Sequence, residues 1–298
     1  MLLRPPALQK GDTVYLLGTA RKISTEDVLF AKQTFENWGL KVVLGKTIGA
    51  EQHQFAGDDQ LRKNDFQTAL DDKNVRAIIC ARGGYGTVRM MDDLNFDEFM
   101  KHPKWVVGFS DITYLHVHIT NSIGIQTLHS SMPFALDKKT PEALDTMRKE
   151  LFGEKCRFEI GIHPLNRTGT ADGFLIGGNL SILYSITGTK SGMNTSGKIL
   201  FLEDLDEYLY HIDRMMMNLK RSGKLHDLAG LVVGGFTDMH DNETNFGKTA
   251  YEIIAEHVSE FNFPVCFNFP AGHIPDNRAL VMGRKYKLEV STETVQLF

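Results

Sequence analysis

Three side chains far apart in the chain could together perform acyl transfer: a serine, a carboxylate and a histidine. The serine is Ser110. It ends the apolar run Trp105-Val106-Val107-Gly108-Phe109 and is followed by Asp111-Ile112-Thr113, after which Leu115, Ile119 and Ile123 recur at helical spacing. That pattern reads as strand, tight turn, helix. A serine at such a corner stands above the sheet edge, with the N–H of Asp111 at the helix start beside it. Ile112 stands where the usual nucleophile turn has its second glycine, so the plainer reading, Ser110 or Asp111 capping the helix, stays open.

The carboxylate comes from Ile199-Leu200-Phe201-Leu202-Glu203-Asp204, an apolar strand that ends in acids, with Asp206 close behind. Any of the three could orient a histidine, and a solvated acidic turn is the bland alternative. The histidine is His273, in the Pro- and Gly-bounded loop Phe269-Pro270-Ala271-Gly272-His273-Ile274-Pro275. Serine, acid, histidine is one of the chain orders in which such triads occur, although other folds reach the same geometry in other orders.

Arg82-Gly83-Gly84-Tyr85-Gly86-Thr87 follows another apolar run. Consecutive glycines let a backbone approach a ligand and present N–H groups to an anion. The run lacks the Gly-Lys-Ser/Thr ending of a phosphate loop and is not Gly-x-Gly-x-x-Gly. A tight turn and one arm of an oxyanion hole, with the Asp111 N–H as the other, remain.

These residues need elements to hold them. Asp12–Gly18, Lys41–Gly45, Val75–Ala81, Trp105–Phe109 and Ile125–His129 read as strands, with helices between. One such helix opens at Ser24-Thr25-Glu26-Asp27, an acid three residues after a serine, and stops at Gly39. Alternating strands and helices imply an α/β layer fold with a mostly parallel sheet, whose ligand site lies beyond the carboxyl ends of the strands. Ser110 and Arg82 both fall at such ends. The expected domains are 1–135, a linker over 136–172, and a β-rich 173–298. In the last, Ala279–Met282, Tyr286–Val290 and Thr294–Phe298 read as hairpin-connected strands.

The chain has 298 residues, 42% hydrophobic and 23% charged, with net charge −4. No basic block suggests nucleic acid, and no apolar run reaches the roughly 20 residues of a membrane span. The opening Met1-Leu2-Leu3-Arg4-Pro5-Pro6 lacks the apolar core of a leader, so the expected compartment is the cytoplasm. Cys80, Cys156 and Cys266 form no Cys-x-x-Cys pair. His116 and His118 lie two apart on a helix and cannot chelate one metal. No metal and no cofactor is expected.

Several of these segments together resemble the LD-carboxypeptidase family, the serine peptidases that include muramoyltetrapeptide carboxypeptidase and the microcin C self-immunity peptidase. They are Lys10-Gly11-Asp12-Thr13-Val14, Ala81-Arg82-Gly83-Gly84-Tyr85-Gly86, Gly108-Phe109-Ser110-Asp111-Ile112-Thr113, Gly177-Gly178-Asn179-Leu180-Ser181, Leu200-Phe201-Leu202-Glu203-Asp204 with Ile212-Asp213-Arg214, and Gly272-His273. The resemblance implies a flavodoxin-like or amidotransferase-like N-terminal domain and a β-rich, swivelling β/β/α C-terminal domain, with the site between them, in a homodimer. It implies Ser110 as nucleophile, His273 as general base and acid, Glu203 as the residue that orients His273, and the N–H groups of Gly84 and Asp111 as oxyanion hole. Its substrate would be a murein-derived peptide ending in D-alanine. The alternatives are a peptidyl-nucleotide antibiotic of the microcin C kind or, in another class, small-molecule binding without catalysis.

Arg82 and Gly83 are expected at the substrate. Arg82, Arg89 and Arg278 are the candidates for its terminal carboxylate. Two stretches depart from the family pattern. Its frequent His-Gly-Pro-Met is here His129-Ser130-Ser131-Met132, and an Ala-Pro-Ser-like turn after the first strand is replaced by Gly18-Thr19-Ala20-Arg21.

Overall fold

The structure is a computed structural model and describes residues 2–298; Met1, which opens the stretch read for a leader, lies outside them. In chain order the strands are β1 (Thr13–Leu17), β2 (Lys41–Leu44), β3 (Val75–Cys80), β4 (Trp105–Gly108), β5 (Thr127–His129), β6 (Phe158–Gly161), β7 (Gly169–Asn179), β8 (Ile199–Leu205), β9 (Gly230–Thr237), β10 (Val265–Cys266), β11 (Leu280–Met282), β12 (Lys285–Val290) and β13 (Thr294–Leu297). The α-helices are α1 (Leu29–Asn37), α2 (Asp59–Asp71), α3 (Val88–Met91), α4 (Asp97–Lys101), α5 (Thr113–His118), α6 (Pro141–Leu151), α7 (Leu180–Ser185), α8 (Leu209–Arg221) and α9 (Ala250–His257).

The chain forms two compact units. One runs up to Glu154 and takes in Pro275–Val281; the other comprises Lys155–Ile274 and Met282–Phe298. The first unit holds a six-stranded sheet in the order β11-β5-β4-β3-β1-β2. The pairs from β2 through β5 are parallel. β4, and β3 from Ala77 onward, read as unbroken apolar runs because helices cover both faces; Ile78, Ile79, Val106 and Val107 are all fully buried. Val14, Leu16, Ala77, Ile79, Trp105 and Val107 pack with Val28, Ala31 and Phe35 into one core. The Ser24 signal before α1 is a reciprocal pair: Asp27 N–H donates to Ser24 Oγ and Ser24 N–H to Asp27 Oδ2, both at 3.2 Å.

The second unit holds a seven-stranded sheet, β10-β9-β8-β7-β12-β13-β6. β7 to β10 run parallel, while β12, β13 and β6 continue antiparallel. The fold is thus α/β with a parallel-sheet N-terminal portion and a sheet-rich C-terminal portion, as the sequence implied. Two details differ. β11 joins the first sheet beside β5, so only β12 and β13 form a C-terminal hairpin; local patterning carries no information about which distant edge a three-residue strand will find. The stretch 136–172 carries α6, β6 and the start of β7. Thr140 caps α6 and Pro141 opens it, a helix start the sequence does carry.

One buried cation holds α2 in place. Lys104, just before β4, is 1% exposed, and its Nζ donates to the carbonyls of Ala69, Leu70 and Asp72 at 3.0, 2.8 and 2.6 Å. These are orphan acceptors at a helix end. Burial pushes the Lys104 ammonium down to about 8. Lys104→Met fills the same volume but leaves the carbonyls unpaired, so urea denaturation should show a loss of about 1–3 kcal/mol. An unchanged midpoint would mean that water replaces the ammonium without cost.

Candidate active site

Ser110 occupies the corner between β4 and α5, with a backbone φ of 61°. A non-glycine residue in the left-handed region is strained by about 1–3 kcal/mol and persists only where its surroundings impose it. Here the imposition is visible. Gly108 O, at the end of β4, accepts from Ser130 N–H at 3.0 Å and lies 2.8 Å from His116 Nε2. A carbonyl can only accept, so His116 Nε2 carries the proton and Nδ1 accepts from the Thr127 hydroxyl at 2.8 Å. Burial pushes His116 down to about 3, which keeps this brace neutral.

The glycine-rich turn 83–86 lies against the serine. A Cβ placed on Gly83 would sit 3.1 Å from Ser110 Cβ and 3.2 Å from Oγ. Gly84 has φ 110°, and a Cβ there would strike the side chain of Arg21. Two buried polar groups hold the turn. Asp111 Oδ2 accepts from Thr87 N–H at 2.9 Å, and the Thr87 hydroxyl donates to Thr19 Oγ1 at 2.9 Å. Arg62, fully buried, donates from Nη1 to Thr19 O at 2.8 Å and Gly86 O at 3.0 Å. Ser110 and the turn are thereby tied through Asp111.

Asp111 is 1% exposed, and its Oδ1 has no partner among the described residues. Burial pushes the carboxyl up to about 6. A free aspartate titrates near 3.9, so between about pH 4 and 6 the native state holds a proton that the unfolded chain has released. Stability from this group is present at low pH and falls as pH rises through that window. Asp111→Asn does not titrate. Urea melts at pH 7 and pH 5 should therefore shift the difference between the two proteins towards wild type at pH 5, by about 1 kcal/mol. A pH-independent difference would place the carboxyl in contact with water.

The second unit contributes a histidine–carboxylate pair. Glu203, near the end of β8, is fully buried, and its Oε2 lies 2.6 Å from His273 Nδ1. The backbone N–H of His273 donates to the same oxygen at 3.2 Å. An ionised carboxylate only accepts, so Nδ1 holds its proton and Nε2 is the basic nitrogen. The approach depends on Gly272. At φ 109°, a Cβ there would lie 2.7 Å from Glu203 Cβ and 2.8 Å from Oε2.

Of the three acids in this run, Glu203 meets the histidine and the others face elsewhere. Asp204 points to the opposite side of the strand and accepts from Asn179 Nδ2, Ser181 N–H, Ser181 Oγ and Leu205 N–H at 2.7–2.9 Å. It joins the ends of β7 and β8; burial, with Glu203 adding to it, pushes its carboxyl up to about 6. Asp206 is exposed and lies 2.5 Å from His240 Nε2.

Ser110, Gly83, Gly84, Asp111 and Arg82 therefore belong to the first unit, and Glu203 and His273 to the second. The arginines expected to meet a carboxylate are partly engaged. Arg82 Nη1 donates to Lys22 O at 2.9 Å and its guanidinium lies 4.1 Å from the Phe134 ring centre. Arg89 grips Asp59 through Nε and Nη2, and Arg278 pairs with Asp276. Sequence reasoning missed Arg62 and the bracing role of His116, and named Arg21 only within a departing stretch. Arg62 sits in a polar helical run that reads as surface, and only its partners Thr19 and Gly86, distant in the chain, reveal its burial. Among the described residues no group of three or more His, Cys, Asp or Glu is placed to hold a metal ion. No described helix is long and apolar enough to cross a membrane.

Comparison with known proteins identifies the family. The LD-carboxypeptidase N-terminal domain matches residues 14–130 and the LD-carboxypeptidase C-terminal domain residues 172–288. A Bacillus subtilis (strain 168) protein named probable murein peptide carboxypeptidase is 35% identical, over 98% of this chain and 93% of its own. Murein tetrapeptide carboxypeptidase of Pseudomonas aeruginosa is 28% identical, over 93% and 92%. Among solved structures, muramoyltetrapeptide carboxypeptidase from Oxalobacter formigenes superposes with a TM-score of 0.85 at 25% identity, covering 96% of this chain and 97% of that one. Microcin C7 self immunity protein MccF shares the fold, with a TM-score of 0.84 at 20% identity over 100% and 98%. With both family domains in order and a relative matched almost end to end, this chain belongs to the LD-carboxypeptidase family and is a hydrolase of that peptidase class.

Proposed function

We propose that this chain is a serine carboxypeptidase that removes the terminal D-amino acid, D-alanine, from murein tetrapeptides by cleaving an L,D-amide bond. The names of the Bacillus, Pseudomonas and Oxalobacter relatives support the substrate. The observation that carries the serine mechanism is the left-handed backbone of Ser110 at a strand–helix corner. Such strain is retained where it lifts a nucleophile clear of the sheet.

In this mechanism His273 Nε2 takes the proton of Ser110 as Oγ attacks the scissile carbonyl. The carbonyl π electrons move to oxygen, and the N–H groups of Gly84 and Asp111 hold the oxyanion. Collapse breaks the C–N bond, and the leaving amine takes its proton from His273. Water, deprotonated by the same imidazole, then cleaves the acyl-enzyme. Glu203 fixes the Nδ1–H tautomer and balances the imidazolium charge. The same reading has the enzyme acting in the cytoplasm, as a homodimer, on peptides recovered from the wall.

The test is to incubate the full chain with murein tetrapeptides carrying diaminopimelate or lysine at the third position and to measure released D-alanine by chiral analysis. Release that stops when Ser110 is blocked by a fluorophosphonate is the expected result. Labelling of Ser110 with no release from either peptide would leave a serine hydrolase and remove the murein substrate.

A further inference from the structure

A peptidase confined to the last residue of its substrate must recognise the α-carboxylate there, and a planar guanidinium does so with two parallel N–H···O bonds. In an extended peptide that carboxylate lies only about 3.6 Å beyond the scissile carbonyl. The cation that holds it must therefore stand beside the oxyanion turn.

Arg89 is bound to Asp59, which it shares with Arg62, and Arg278 is paired with Asp276. Arg82 is spent in part on Lys22 O and the Phe134 ring. Arg21 is different. It is exposed, and its guanidinium has no hydrogen-bond or ion-pair partner among the described residues. Its stem lies across Gly84: a Cβ there would meet Arg21 Cδ at 2.6 Å, Cγ at 2.7 Å and Nε at 2.8 Å. Its backbone is anchored to the same turn, since Arg21 N–H donates to Gly83 O at 3.3 Å, and Gly83 in turn faces Ser110 Oγ. A bridge to Phe55 and the bond from Lys22 N–H to Gln54 O hold the segment from the other side.

Arg21 is also close enough to Arg82 for their charges to repel: burial first, then Arg21, lowers the affinity of Arg82 for its proton. Neither guanidinium is salt-bridged to a carboxylate among the described residues, and only Asp27, from further off, acts favourably on the charge of Arg82. Arg21 closes Gly18-Thr19-Ala20-Arg21, one of the two stretches in which this chain departs from the family pattern.

We infer that Arg21, lying across Gly84 beside Ser110, binds the α-carboxylate of the leaving amino acid and so confines cleavage to a free C-terminus. The inference rests on the carboxypeptidase reading above. Arg21 is a specificity residue: it touches the substrate at a distance from the reacting bond.

The test compares a murein tetrapeptide ending in D-alanine with the same peptide ending in D-alaninamide. Wild type should prefer the free acid in kcat/KM by roughly 10- to 100-fold, the scale of a charge-assisted bidentate contact. In Arg21→Met that preference should fall close to 1, mainly through KM; Arg21→Lys, with charge but no fork, should fall between. Retention of the full preference in Arg21→Met, or its loss in Arg82→Met alone, overturns the assignment.

A second measurement does not depend on turnover. D-Alanine, and not D-alaninamide, should slow fluorophosphonate labelling of Ser110 in wild type and fail to do so in Arg21→Met. Equal protection in both proteins, or none in wild type, counts against Arg21. The unprotected labelling rate and the melting temperature show that the variants are folded. If wild type releases no D-alanine from murein peptides, the substrate reading fails while the protection assay still decides the role of Arg21.

Discussion

Ser110→Ala should lose turnover by about six orders of magnitude, the scale seen when the nucleophile of such a triad is removed, while still binding its peptide. The reason is placement: Ser110 Oγ lies against the Gly83 turn, with the Asp111 N–H following it in the chain. The backbone supplies a second, independent reading. Alanine at φ 61° keeps the strain, whereas glycine adopts that conformation freely. Ser110→Gly should therefore be as inactive as Ser110→Ala yet more stable by about 1 kcal/mol. Single-turnover kinetics with tetrapeptide, alongside urea melts of both variants, separates chemistry from conformation. Activity above a hundredth of wild type in either protein would remove Ser110 from the mechanism.

The second large effect is at Glu203. Glu203→Gln keeps the shape of the buried side chain but replaces an acceptor by a group that can donate. If the amide NH₂ faces His273 Nδ1, the ring must hold its proton on Nε2 and cannot act as base; a wrong tautomer of this kind costs about 10⁴ in kcat. Removing the carboxylate also takes the counter-charge from the imidazolium, so the acid limb of the kcat/KM profile should move to lower pH. The backbone bond from His273 N–H to the same oxygen means that the loop and the ring are aligned by one atom. A variant with near-normal kcat would show that His273 is oriented by something else.

Much of this fold could be read from local pattern. β3 and β4 announce themselves as apolar runs because both faces of a parallel sheet are covered, and the Ser24–Asp27 pair marks a helix start by chemistry confined to four residues. The corner at Ser110 was legible as strand, turn and helix, yet its positive φ was not. Serine has no preference for that conformation, and the bonds at Gly108 O that impose it come from His116 and Ser130. Among Glu203, Asp204 and Asp206, strand alternation separates neighbours but does not say which side holds the histidine. The clasp of Asp204 on Asn179 and Ser181 arises from residues some 25 positions earlier. Arg62 was invisible for the same reason: in sequence it is one more polar residue, and its meaning comes from Gly86, which leaves room for it; Arg21 stood out only as the end of a departing stretch, and its place across Gly84 is a tertiary fact.

The return of the chain at Pro275–Val281 limits how the molecule can be cut. A truncated protein ending at Glu154 would lack β11, stripping β5 of one of its two neighbours, and would lose the contact of Asn277 Oδ1 with His129 Nε2 at 3.2 Å and the bond from Ala279 N–H to Thr146 Oγ1. A bared strand edge invites pairing with other chains. The two halves are therefore not interchangeable cassettes, and recombination among relatives should keep the 275–282 ribbon together with the N-terminal half it completes.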